Sequence, residues 1–316
     1  MMYQKTESSN VMAIRRVIGS YPQTIIIPGP ILLVSGAVHG NEPSGPQAIR
    51  RVMDKLEVLK PTIKGKILGV IGNLKALIDG KRLIDRDLNR ICTPEIEDDL
   101  ISTRHPGFHE ADEFNSLLSI VYEIEAEKDG STIRFMDLHT TSSPSVPYIS
   151  VNKRPDSLNF ANQIPLPVVC GIEKFIPGHF DHYLTLRGHL GFTLEAGQHD
   201  DPKSVDHHES AIWATLVVAG MMEEKDIPDY RSHLALLIKE VSVTDAVYEV
   251  IYRHEISPED GFVMKPGFKN FDKISRGELL AYSRGQQVLS NWNAYLFLPL
   301  YQHQGSDGFF VVKKCQ

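Results

Sequence analysis

An α/β fold with a largely parallel or mixed sheet flanked by helices, followed by a small all-β segment, is what this 316-residue chain predicts. Three observations point there. Up to about residue 225, apolar strand-like runs alternate with stretches of helical period. After Ile227 and Pro228 the runs become short and are separated by Gly, Asn and Pro. Two of the longer runs end on a histidine, His39 and His139, at the strand ends where sheets of this kind gather their ligand sites.

Taken in order, residues 31–38 (ILLVSGAV) form an unbroken apolar run of strand length, as expected for a strand buried on both faces. Residues 45–59 follow with apolar positions at helical spacing, and residues 67–71 return to a strand pattern. A helix over 111–127 leads into a strand over 133–138, then come strands over 166–170 and 191–195 and a helix over 205–222. This alternation argues for helices on both faces of one sheet. Beyond it, residues 247–251, 261–264, 278–282, 294–298 and 309–312 read as short strands. The expected division is a catalytic unit over 1–228 and a β domain over 229–316 that covers the site.

Composition narrows the function. A net charge of −7, with no block of like charge, gives no electrostatic case for nucleic acid or an anionic membrane as partner. No run approaches the roughly 18 apolar residues that span a bilayer, and the polar N-terminus lacks a signal-peptide pattern. Cys92, Cys170 and Cys315 are odd in number and unpaired in spacing, which fits reduced thiols in the cytoplasm and argues against a cysteine zinc site.

The chemistry is carried by side chains at strand ends. His39 and Glu42 leave the first strand three residues apart, and His139 ends "RFMDLH". Two imidazoles and one carboxylate are a common catalytic zinc set with one position open. Asp137, two residues before His139, shares its strand face and is suited to orient its ring through the other nitrogen. In "GKRLIDRDLNRIC", Arg82, Asn89 and Arg90 are forked or planar donors for a carboxylate, although pairing with Asp85 and Asp87 on a solvated loop is the blander alternative. Glu195, in "GFTLEAG", is an acid suited to general base and acid work. His179, His182, His189, His207 and His208 read as pocket wall, surface or helix residues rather than ligands.

"HGNE", "DLNR", "DLHTT" and "TLEAG", in this order and rough spacing, resemble the succinylglutamate desuccinylase/aspartoacylase family of zinc-carboxypeptidase-like amidohydrolases. The resemblance implies a zinc-carboxypeptidase-like mixed sheet and one Zn2+ per chain held by His39, Glu42 and His139. It further implies Glu195 as the general base, Arg82 polarising the scissile carbonyl, and Asn89 with Arg90 on a substrate carboxylate. Tyr183 and Arg187 are similar to a family pair that holds an acidic side chain, with a small shift in spacing. The implied activity is hydrolysis of the amide of a small N-acylated acidic amino acid.

One position departs from the family. "DGFFVVKK" offers Phe309 and Phe310 where aspartoacylases carry a site tyrosine, which tilts the expectation from acetylaspartate toward succinylglutamate-like substrates. The rival readings are a metallocarboxypeptidase acting on short peptides and a non-catalytic binding protein on the same fold. An overhanging β domain would leave room only for a small molecule, and a binding protein would need no base at Glu195. An oligomer is compatible with the sequence.

Overall fold

The computed structural model describes residues 14–102, 106–127, 132–239, 241, 246–302 and 305–315. The chain opens with strands β1 (Val17–Tyr21) and β2 (Ile27–Gly36), helix α1 (Ser44–Leu59), strand β3 (Lys64–Ile71) and the short helix α2 (Leu74–Asp79). Helices α3 (Pro94–Ile101) and α4 (His109–Glu127) precede strands β4 (Ile133–Thr141) and β5 (Tyr148–Val151). Then follow α5 (Pro155–Ala161), β6 (Val168–Cys170), α6 (Phe180–Leu186), β7 (Leu190–Gln198), α7 (Lys203–Val218) and α8 (Tyr230–Ile238). The C-terminal part contributes β8 (Val247–Glu255), β9 (Val263–Met264), β10 (Lys273–Ile274), β11 (Leu279–Ser283), β12 (Gln286–Leu289), β13 (Ala294–Phe297) and β14 (Asp307–Lys314).

Among the described residues, eleven strands make one mixed sheet in the order β1-β3-β2-β4-β7-β5-β6-β8-β14-β13-β10. The neighbours β3, β2, β4 and β7 run parallel, so their carboxyl ends share one side of the sheet. β5 pairs antiparallel with β7, which makes the sheet mixed. The strand sequence explains the layering. In β2, Leu32 and Val34 face one core and Ile31 and Leu33 face the other, as the two-residue period requires. Helices α1 and α7 cover the first face, and α4 covers the second. α1 buries Ala48, Ile49, Val52, Met53 and Leu56, one apolar stripe at helical spacing, and ends where Lys60 turns left-handed.

The short strands after residue 246 do not form a sheet of their own throughout. β8 pairs parallel with β6, and β14, β13 and β10 extend the large sheet beyond it. Among the described residues, β12, β11 and β9 form a separate antiparallel sheet. In β14, Phe310 and Val312 join a core shared with Tyr148 and Val169, whereas Phe309 and Val311 face the core under the small sheet. The segment expected to be all-β also begins with helix α8, which lies beyond residue 228. Among the described residues, no helix is long and apolar enough to cross a membrane.

Candidate active site

β2 stops at Gly36 because Ala37 adopts a left-handed backbone at φ 56°, and the chain then turns through residues 38–43. Gly40 lies against the start of α2 so closely that a Cβ would fall 2.1 Å from the Ala76 carbonyl carbon, so the turn requires glycine there. The turn delivers His39 and Glu42, both buried, to the end of β4, where His139 lies. Ligand atoms of the three residues all lie within 4.8 Å of one another.

The two imidazoles present the same nitrogen to one carboxylate. His39 Nδ1 is 2.9 Å from Glu42 Oε1, and His139 Nδ1 is 3.1 Å from Glu42 Oε2. Each outer nitrogen meets another acid: His139 Nε2 lies 2.8 Å from Asp137 Oδ2, and His39 Nε2 lies 3.0 Å from Asp87 Oδ1. Asp137 is fixed in turn by the Ser35 hydroxyl, which donates at 2.6 Å. Carboxylates behind ligating histidines are the usual support of a metal centre, so the donor set and its surroundings fit zinc. Burial raises the Glu42 carboxyl, but the adjoining imidazoles outweigh it and hold it well below the ordinary carboxylate range. For His139, Asp137 and Glu42 overcome burial and push its pKa well above the usual value.

The loop bearing Arg82, Asp87, Asn89 and Arg90 is pinned from below. The buried Glu110 carboxylate accepts hydrogen bonds from the backbone N–H groups of Ile84, Asp85 and Arg86 at 2.7, 3.1 and 2.9 Å. Its role is structural, and in the sequence it looks like any helix N-terminal acid. Arg82 Nη2 donates to Asp87 Oδ2 at 3.0 Å, and its Nη1 lies 3.7 Å from Glu42. Arg90 donates to Asp307 at 2.8 Å and lies 3.2 Å from His179 Nε2. The bland alternative thus holds for Arg82, which pairs with Asp87, whereas Arg90 pairs with Asp307 from the C-terminal segment, and both arginines line the cavity. Asn89 spends its carbonyl oxygen on the Phe180 N–H at 2.9 Å, which leaves its amide nitrogen toward His139 at 3.5 Å.

Glu195 is the register partner of His139 on β7, and its Oε2 is buried with no hydrogen-bond partner among the described residues. Burial, with Glu42 and Asp137 nearby, pushes its carboxyl up to about 8 despite the opposing His139. Three wall residues carried no motif. Tyr148 is buried opposite Glu195 across the β5–β7 pairing, and its hydroxyl has no partner among the described residues. His199, just past β7, stands 2.8 Å from the Thr140 hydroxyl. Asp181 lies in the first turn of α6. The spacing of His199 four residues after Glu195 is the one sequence signal that would have suggested it.

Two expected residues lie elsewhere. Tyr183 is packed in the core beneath α4 and does not line the cavity. Arg187 is held outside it by Glu125, at 3.1 and 2.6 Å, and by Glu97, at 3.0 Å. The physical reason is the helix: in α6, Tyr183 points back into the core, and its hydroxyl accepts from Arg187 at 3.2 Å on that outer side. The position on α6 that does reach the cavity is Asp181. Of the two phenylalanines, Phe310 lines the cavity, while Phe309 stacks on His254 on the opposite face of β14. Residues 297–300 and 305–307 also line the cavity.

Residues 28–218 match the family model described as the succinylglutamate desuccinylase/aspartoacylase catalytic domain. A succinylglutamate desuccinylase of Shewanella frigidimarina is 24% identical over 267 residues, covering 82% of this chain and 74% of that protein. A probable aspartoacylase of Nostoc sp. is 29% identical over 170 residues, and the match spans 52% of this chain and about half, 54%, of the relative. Among solved structures, a succinylglutamate desuccinylase/aspartoacylase of Rhodobacter sphaeroides superposes with a TM-score of 0.67 at 19% identity, covering 92% of this chain and 87% of that one. Murine aminoacylase 3 superposes with a TM-score of 0.57 at 16% identity, covering 91% of this chain and 96% of its own, so the fold is shared. With the family model spanning more than half of its length, this chain belongs to the succinylglutamate desuccinylase/aspartoacylase family.

Proposed function

We propose that this protein is a zinc-dependent amidohydrolase that removes the acyl group from a small N-acylated amino acid. The observation that carries the reading is the convergence of His39 and His139 on Glu42, with Glu195 beside His139 and its Oε2 without a hydrogen-bond partner among the described residues. Zinc held by His39, Glu42 and His139 would polarise the scissile carbonyl and lower the pKa of a water. Glu195, the register partner of His139 on the neighbouring strand, takes the proton as the water oxygen bonds to the acyl carbon. It returns that proton to the amide nitrogen as the C–N bond breaks. Arg82, beside Glu42, stabilises negative charge on the carbonyl oxygen, and Arg90 with the Asn89 amide receives the α-carboxylate.

The acidic side chain expected of the substrate rested on Arg187, which is committed to Glu97 and Glu125, so that part of the expectation loses its support. Residues 297–300 and 305–307 of the C-terminal segment line the cavity, which supports a small molecule over a peptide. Buried free thiols at Cys92 and Cys170 support a reducing, cytoplasmic setting. Purified protein should carry about one zinc per chain and release amine from N-acyl amino acids. His139→Ala should lose both metal and activity. Full zinc in that variant would refute the ligand set, and a zinc-loaded wild type that releases no amine would refute the deacylase.

A further inference from the structure

The mechanism leaves one buried carboxylate in the cavity wall unused. Asp181 is 5% exposed and lines the cavity together with Thr193 and Ser150, which face each other across the β5–β7 pairing. The one ionisable base within 4 Å among the described residues is His179, whose Nδ1 is 3.9 Å from Asp181 Oδ1. Burial and the neighbouring Arg90 hold that imidazole well below its usual pKa, so it stays neutral. Among the described residues no arginine or lysine pairs with Asp181, whose hydrogen bonds come from the Thr193 hydroxyl and the His182 N–H. Burial, followed by the charge of Asp137, pushes its own pKa up to about 7, the state of an acid that a cation would stabilise.

The remaining charges point the same way. Among the described lining residues the guanidinium groups are Arg82 and Arg90, and each already faces a carboxylate, Asp87 or Asp307. Glu42 belongs to the candidate metal centre and Glu195 to proton transfer. A second carboxylate on the substrate would meet Asp181 rather than a free arginine, and like charges out of water repel strongly. His179 separates the Arg90 guanidinium from Asp181, with Nε2 3.2 Å from Arg90 and Nδ1 3.9 Å from Asp181. A substrate whose α-carboxylate rests at Arg90 would therefore bring a short side chain past His179 to Asp181.

We propose that the side chain of the substrate ends in an ammonium group received by Asp181, so that the enzyme deacylates an Nα-acyl diamino acid. The assignment rests on the deacylase reading above and gives Asp181 the part of a specificity residue. Asp181, Thr193 and Ser150 together offer a carboxylate and two hydroxyl acceptors, which match the three donors of an ammonium.

The test is a panel of Nα-acetyl and Nα-succinyl derivatives of ornithine, 2,4-diaminobutyrate, norvaline, aspartate and glutamate, assayed with zinc-loaded full-length protein. The better diamino acid should exceed both acidic compounds and norvaline in kcat/KM by at least about tenfold, or about 1.4 kcal/mol. Asp181→Asn should bring the ratio of diamino to norvaline derivatives down to about one, with zinc content retained. Calorimetry gives a second readout: free ornithine or diaminobutyrate should bind wild type at least about tenfold tighter than glutamate or aspartate. If Asp181→Asn does not fold, the wild-type ranking and the calorimetry decide. Acidic or neutral compounds outranking the diamino ones would overturn the proposal and leave the deacylase standing. An unchanged ranking in Asp181→Asn would remove Asp181 from it. No amine released from any compound would overturn both.

Discussion

Arg187→Met separates a structural arginine from a substrate-binding one. The guanidinium forks onto Glu125, reaches Glu97 with its remaining arm, and lies 5.0 Å from the Tyr122 ring centre. The three ionic side chains are 23%, 20% and 14% exposed, midway between surface and core. Removing one partner of a buried pair costs roughly 3–5 kcal/mol, whereas an exposed pair is worth about 0–1. Partial burial therefore gives a loss of about 2 kcal/mol, since Glu97 and Glu125 keep some access to water. With an unfolding entropy of about 2.1 cal/mol/K per residue, a chain of this length should lose about 3 °C in Tm. Scanning calorimetry and steady-state kinetics on the same preparation read both quantities. The expected result is the drop in Tm with kcat/KM and zinc content within about twofold of wild type. A loss of tenfold or more in kcat/KM without a change in Tm would mean that Arg187 touches substrate and that the cavity has been drawn wrongly.

Two further outcomes follow from the site and its floor. Glu195→Gln keeps the shape of the base but cannot take a proton, so kcat should fall roughly 10²–10⁴-fold while zinc, measured by elemental analysis, stays bound; turnover near wild type would assign the base elsewhere. His208 is fully buried, and burial, then His139, lowers its pKa from 6.5 to about 3. Between those values the unfolded chain binds a proton that the folded chain refuses, so stability is complete above about pH 6.5 and declines below it. At pH 5 the decline from this residue is about 2 kcal/mol, and denaturant titrations should find it reduced in His208→Leu. Equal pH slopes in the two proteins would contradict that assignment.

The sequence was most legible where burial and spacing speak together. The run at 31–38 and the helical stripe of α1 emerged within a few residues of their expected bounds because each has a full period of apolar residues. The short elements β5, α5 and α6 carry too few residues for a period and went unread. The same limit explains the site. His39, Glu42 and His139 stand at strand ends in motifs of mixed polarity, and the structure brings them together. Asp181 was missed because α6 spans only seven residues, and the side on which its residues face cannot be read without the neighbouring strand. The placement of Arg187 away from the cavity was unreadable for the same reason: its partners Glu97 and Glu125 lie on α3 and α4, far away in the chain. The Arg90–Asp307 pair, 217 residues apart, is likewise a product of tertiary structure.

The continuity of the large sheet bears on how such a protein can change over evolution. Its C-terminal portion is stitched to β6 by β8, and the cavity wall at Phe297 and Phe310 leans on Tyr148 from the other half. A chain cut near residue 228 would bare the outer edge of β6 and an apolar face around Tyr148, both templates for aggregation. The two halves are therefore not interchangeable modules, and a recombination event joining this N-terminal half to a foreign C-terminal half would have to match a strand register as well as a surface. Residues 298–302 and 305–306, between β13 and β14, lie outside those strand ladders. Their side chains can vary while the paired strands on either side hold their register, which makes them a natural place for members of this lineage to diverge in what they admit.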